Sequence, residues 1–154
     1  MQSTTPGQAL ARLRQICSRQ EKCLSEAIVL LKRWGLSDEQ ASAVTDSLVK
    51  EKYIDESRYA AAFVRDRIGL DKWGMIKIRY QLYRKGIPDS IVQDALGSVD
   101  KHKYVAMIRK ELEKKRKTLK DTGRELWARL TRYGSSRGYE EHIIRELLDE
   151  LIEG

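Results

Sequence analysis

In the segment GMIKIRYQLYRK, Lys77 and Arg84 stand seven residues apart, with Gln81 between them. On a helix that spacing places the two cations within about 20° of each other around the axis. Arg79 and Tyr83, four apart, form a neighbouring row. Cations and a phenol ring in such rows can hold phosphates and stack on a base. The same rows also fit the solvated face of a helix whose other side, Met75, Ile78 and Leu82, turns to a core. KKRK, at Lys114 to Lys117, has the make-up of a phosphate-binding tract. It equally suits an exposed helix C-terminus, where positive charge is mildly favourable. Trp34, Trp73 and Trp127 could stack on bases, yet each lies in or beside an amphipathic segment. Trp34 and Trp127 read as packing residues, and Trp73 is the most open of the three.

Bond-making chemistry has little to work with. His102 and His142 stand far apart in sequence and lack Cys or His companions at ligand spacing. The two cysteines, Cys17 and Cys23, match no common zinc pattern and are expected to be reduced and at least half-buried. In DESRY, the paired carboxylates Asp55 and Glu56 suggest a metal at first sight. An aspartate capping the next helix explains that position more simply. No phosphate-binding glycine loop, metalloprotease, serine-hydrolase or dinucleotide fingerprint occurs. A binding or regulatory protein with no cofactor and no metal is therefore expected, rather than an enzyme.

The 154 residues carry 30 Lys and Arg against 23 Asp and Glu, a formal charge of +7. Such an excess favours polyanions, nucleic acid first and an acidic protein surface second. The charge is uneven. Arg58 to Lys85 holds eight basic residues against Asp66 and Asp71, and Lys101 to Asp121 holds nine against three acids. Glu140, Glu141, Glu146, Asp149, Glu150 and Glu153 make the C-terminal end acidic. No apolar run approaches the ~18 residues a membrane span needs. The N-terminus lacks the basic and apolar regions of a secretory signal, so a cytoplasmic protein without membrane association is expected.

These residues must be carried by helices, and the helices repeat. Gly35, Gly86 and Gly138 lie 51 and 52 residues apart, with Arg33, Lys85 and Arg137 one or two positions before them and an apolar residue after each. Registered on these glycines without gaps, apolar residues recur six, nine and thirteen positions on. They are Ala41, Val92 and Ile144, then Val44, Ala95 and Leu147, then Leu48, Val99 and Leu151. Steps of three and four trace one helix face. A glycine after a helix can turn left-handed and satisfy the last carbonyls. Ser37 with Gln40 forms a capping box, and Pro88 suits a first helical turn.

The pattern predicts helices over 8–18, 25–34, 38–50, 56–68, 74–85, 88–97, 102–118, 122–135 and 139–152. The expected fold is all-α, an elongated tandem array of three three-helix repeats over residues 1–53, 54–100 and 101–154. The second repeat is the basic one. A compact single bundle is the alternative.

Three stretches are together similar to the RecX family of recombination regulatory proteins: EKYIDESRYAAAFVRDR, KWGMIKIRYQLYRKGIPDSIVQDAL and SRGYEEHIIRELL. The resemblance runs from about Ala9 to Leu151 and is densest in the middle repeat. It implies a small all-helical modulator of the RecA recombinase, usually inhibitory, that binds in the groove of the RecA–single-stranded-DNA filament and also contacts DNA. Carried over residue by residue, it implies filament or DNA contacts at Arg65, Lys72, Trp73, Lys77, Arg79, Arg84 and Lys85. The expected partners are the recombinase filament and single-stranded DNA, with double-stranded DNA left open, and the protein is expected to act as a monomer. AIVLLKRWG in the first repeat and Gly134-Ser135-Ser136 in the third depart from the family pattern. A sequence-independent DNA-binding protein acting without the recombinase is the competing reading, followed by a helical adaptor for an acidic protein.

Overall fold

The computed structural model of the chain describes residues 4–153. Among them are nine α-helices and no strand: α1 (Pro6–Arg19), α2 (Leu24–Arg33), α3 (Asp38–Lys50), α4 (Glu56–Gly69), α5 (Met75–Arg84), α6 (Asp89–Gly97), α7 (Lys101–Lys117), α8 (Gly123–Arg137) and α9 (Glu141–Glu153). The all-α class follows the sequence, and the helix ends shift by no more than two residues from those expected.

Local chemistry accounts for the helix starts. Thr5 Oγ1 accepts from the Gln8 N–H at 3.2 Å while Gln8 answers the Thr5 N–H at 3.0 Å, and Pro6 opens the first turn. Ser37 and Gln40 form the expected box at 3.2 and 2.9 Å. Asp55 accepts from the Arg58 N–H at 2.9 Å, and Asp100 from that of Lys103 at 3.1 Å. Each cap satisfies a donor that the helix leaves open.

The helix ends at the three registered glycines are built alike. Gly35, Gly86 and Gly138 have φ of 89°, 77° and 90°. In every copy the next residue donates back five positions: Leu36 to Leu31, Ile87 to Leu82 and Tyr139 to Gly134, at 3.0–3.2 Å. Those three residues are buried, so the turn and the core hold one another.

Packing divides the chain into two compact units, one holding residues up to Phe63 with Leu82–Gln93, the other Val64–Gln81 with the residues from Asp94 on. The boundaries fall inside α4, α5 and α6. In the first unit α3 packs on α1 and α2, around Leu13, Leu31, Val44, Leu48 and Ile54. In the second, α7, α8 and α9 pack mutually around Tyr104, Ile108, Leu112, Leu130, Tyr139 and Ile144. Fully burying a leucine or isoleucine contributes roughly 1.5–3 kcal/mol.

Helix α8 continues through Gly134, Ser135 and Ser136 to Arg137, two residues beyond the expected end. A Cβ on Gly134 would come within 2.7 Å of Ile144 Cδ1. The glycine therefore gives the Ile144 side chain its room against α8. Ser136 Oγ donates to the Tyr133 carbonyl at 2.6 Å, so the serine stays within the helix.

Candidate functional site

The turn between α4 and α5 carries Lys72, Trp73 and Gly74, and its backbone is held tightly within the second unit. Gly74 N–H donates to the Arg137 carbonyl at 2.7 Å and Ile76 N–H to that of Gly138 at 3.1 Å. Tyr139 Oη donates to the Lys72 carbonyl at 2.7 Å, while the Arg137 guanidinium donates to the carbonyls of Asp71 and Lys72. Tyr104 Oη accepts from the Met75 N–H at 2.9 Å and donates to Glu140. Burial pushes the Tyr139 hydroxyl up to about 12, against the lowering influence of Arg137, so it remains a donor at physiological pH.

Two sequence stretches that looked like separate motifs, KWG and SRGY, are thus one joint. The glycines allow it. A Cβ on Gly74 would lie 2.1 Å from the Gly138 carbonyl oxygen, and one on Gly138 would lie 2.4 Å from Lys77 Cβ. Lys72 itself adopts φ 58°, a left-handed conformation unusual for a side-chain-bearing residue. The bonds to its carbonyl hold it there, and its Nζ donates to Gly69 at 2.8 Å.

The expected site residues then divide. Trp73 is half-buried, with the Arg67 guanidinium 5.7 Å and the Lys77 ammonium 4.5 Å from its ring centre. Its π-face therefore already has cationic company, and the structure brings Lys77 and Trp73 together with an arginine not singled out from sequence. Arg65 and Arg79 are exposed; Arg65 lies 3.3 Å from Asp66, with its side chain 73% exposed. All five of these residues belong to the second unit.

Arg84 and Lys85 belong to the first unit. Arg84 is exposed and Lys85 half-buried; the Lys85 Nζ reaches Glu26 Oε2 at 3.1 Å and its carbonyl accepts from Ser25 Oγ at 2.8 Å. Tyr59 Oη donates to the same Glu26 oxygen at 3.3 Å. Burial alone would push the Glu26 carboxyl up, yet Lys85 and the Cys23 N–H outweigh it and hold the carboxyl below its usual range.

A carboxyl held low in the fold adds stability above its unfolded pKa and loses it as pH falls through the folded value. Glu26→Gln is therefore expected to cost about 1–2 kcal/mol near neutrality, and the deficit should vanish towards about pH 3. Urea midpoints of both proteins at the two pH values check this. Glu56 is raised by burial and further by the Glu26 charge, so the variant relieves it and offsets part of the deficit near neutrality.

Most of the remaining candidates are structural. KKRK separates: Lys115 lies 5.4 Å from the Tyr133 ring centre, and Arg116 donates to the Leu151 carbonyl at 2.6 Å, near the end of α9. Trp34 packs on the first core with the Arg12 guanidinium 4.3 Å from its ring centre, and Trp127 packs on the other. Cys17 is half-buried and Cys23 buried, both as thiols. Asp55 is occupied as a cap, and Glu56 accepts from the Leu24 N–H at 3.3 Å. Among the described residues no group of three or more His, Cys, Asp or Glu side chains could hold a metal, and no helix is long and apolar enough to cross a membrane.

Comparison with known proteins is consistent across sequence and structure. A family model described as the second three-helix domain of RecX matches residues 55–96, and one for the third three-helix domain matches 103–148. The chain is 34% identical over 122 residues to the regulatory protein RecX of Prosthecochloris aestuarii, covering 79% of each chain. To that of Clostridium tetani it is 30% identical over 121 residues, which is 77% of this chain and 55% of the relative. To that of Chlorobium phaeobacteroides it is 28% identical over 141 residues, covering 90% and 89%. A crystal structure of regulatory protein RecX superposes with a TM-score of 0.84 at 23% identity, over 94% of this chain and 71% of the other. RecX from Lactobacillus salivarius gives 0.81 at 22% identity, over 95% and 96%.

Proposed function

The chain belongs to the RecX family, and on that premise we propose that it modulates the RecA recombinase, restraining it by binding in the groove of the RecA–single-stranded-DNA filament. It makes or breaks no bond and acts by occupancy. The observation that carries the reading is the KWG joint, whose backbone bonds fix the turn that carries Lys72 and Trp73 and set Lys77 over the Trp73 ring, in a unit that also exposes Arg65 and Arg79. A pre-ordered array of cations loses little entropy on binding an anionic partner.

Contacts from several three-helix repeats, over residues 1–53, 54–100 and 101–154, add avidity because each later contact is intramolecular. A monomer suits such a ligand. Occupying the groove keeps a second DNA strand out, and phosphate contacts make the effect salt-sensitive. Arg84 is an exposed contact candidate in the first unit, whereas Lys85 serves the fold first through Glu26.

Charge reversal tests the surface. Arg65→Glu with Arg79→Glu should leave the melting temperature nearly unchanged, since both side chains are exposed in the second unit and the Arg65–Asp66 pair is a surface one. It should weaken binding to preformed filaments by roughly ten-fold or more. Unaltered filament affinity in the folded variant would remove this face from the interface.

A further inference from the structure

Along α7, Lys103, Lys110 and Lys114 recur at steps of seven and four, on one helix face. With Lys72 from the α4–α5 turn, they line a cleft of about 270 Å³ that Met107 also borders. One carboxylate, Glu111, shares the lining, with its Oε2 3.6 Å from Lys114 Nζ. Four lysines therefore share the lining with one carboxylate, the Lys72 ammonium resting on the Gly69 carbonyl at 2.8 Å. The cleft lies wholly within the second compact unit. Lys72 is not a loose contributor, because its backbone is fixed from Tyr139 at 2.7 Å.

The chemistry points to a chain of phosphates. Lysine ammonium groups act as point charges with rotatable donors, which suits phosphodiester oxygens without reading bases. From Lys103 to Lys114 the helix advances about 16 Å, a length over which a nucleic-acid strand at duplex rise presents about five phosphates. A docked protein would want a desolvated apolar or aromatic centre, and Met107 is the one large apolar side chain in the lining.

We propose that this cleft, in the third three-helix set and the turn beside it, is a direct, sequence-independent binding site for the phosphodiester backbone of a nucleic-acid strand. The assignment deepens the reading above and rests on it for its biological setting. It says which part of the chain touches nucleic acid itself, as distinct from the recombinase.

The test uses the full chain without recombinase. Binding of fluorescent oligothymidylate is followed by anisotropy across a salt series for the native protein, Lys103→Gln with Lys110→Gln, and Lys103→Arg with Lys110→Arg. The glutamine pair should weaken binding roughly ten- to thirty-fold near 0.1 M salt and reduce the salt slope by about 1.4, while the arginine pair binds like the native protein.

Equal affinity and slope in the glutamine pair would overturn the proposal, as would native protein that does not bind the oligonucleotide. Polyglutamate, tested in parallel, supplies the remaining contrary outcome. If it binds as tightly as the oligonucleotide and is lost in the glutamine pair, the cleft takes an acidic protein surface instead. Filament-dependent ATPase measured on the same proteins keeps the two readings apart. Oligonucleotide binding that behaves as expected, with no effect on the recombinase, sinks only the proposed function.

Discussion

Replacing Gly74 by alanine is expected to cost more than about 3 kcal/mol, enough to leave the second unit unfolded or barely folded. The added methyl would meet the Gly138 carbonyl oxygen at 2.1 Å, its carbon at 2.2 Å and the Tyr139 nitrogen at 2.4 Å. All three are backbone atoms, so no side chain can swing aside. Relief requires the α4–α5 turn and the α8–α9 turn to separate. That breaks the bonds from Gly74 and Ile76 to the Arg137 and Gly138 carbonyls and draws Tyr139 away from Lys72. Urea denaturation with a helix signal measures the loss. A midpoint shift equivalent to less than about 1 kcal/mol would show that the joint is not as tight as its geometry.

Gly138→Ala should be nearly as damaging, and its counterpart Gly86→Ala should not. Both glycines end a helix with positive φ, 90° and 77°, so each alanine would bear backbone strain of about 1–2 kcal/mol. At Gly86 that is the whole cost, because nothing lies within 4 Å of the added carbon. At Gly138 the carbon would also meet Lys77 Cβ at 2.4 Å and the Lys77 nitrogen at 2.7 Å. A total above about 3 kcal/mol is expected. Lys77 and its contact with Trp73 would shift with it, so recombinase binding should fall beyond what lost stability explains. Thermal melts of the two variants under one set of conditions decide the matter. Equal destabilisation would mean that strain alone governs both positions.

The contrast between these glycines shows what could and could not be read from sequence. Periodicity places Leu36, Ile87 and Tyr139 as buried anchors after left-handed glycines, because helix spacing and glycine chemistry are local properties. The side-chain caps at Ser37 and Asp55 are local too. The meeting of KWG with SRGY is not, since the bond from Gly74 to Arg137 joins residues 63 apart in the chain, and no local pattern encodes that pairing. Tyr139 looked like any apolar anchor, yet its hydroxyl holds the Lys72 carbonyl.

The candidate site was legible in its charge and less so in its geometry. Arg65 and Arg79 are exposed cations, as their positions on amphipathic helices imply. Lys85 stands just beyond α5, but Glu26, 59 residues earlier, claims its ammonium. Lys103 and Lys110 lay inside a stretch already marked as basic, and their seven-residue spacing was the available signal. What sequence could not supply was Lys72, delivered to the same cleft from another turn.

The most direct test of the central claim compares binding to preformed RecA–single-stranded-DNA filaments with binding to the same DNA alone, at low salt, and follows the filament's ATPase and strand exchange. A modulator of the filament should bind it more tightly than bare DNA and lower both activities in proportion to occupancy. Binding no tighter to filament than to bare DNA, with ATPase and strand exchange unchanged, would contradict the account and leave a DNA-binding protein that acts without the recombinase.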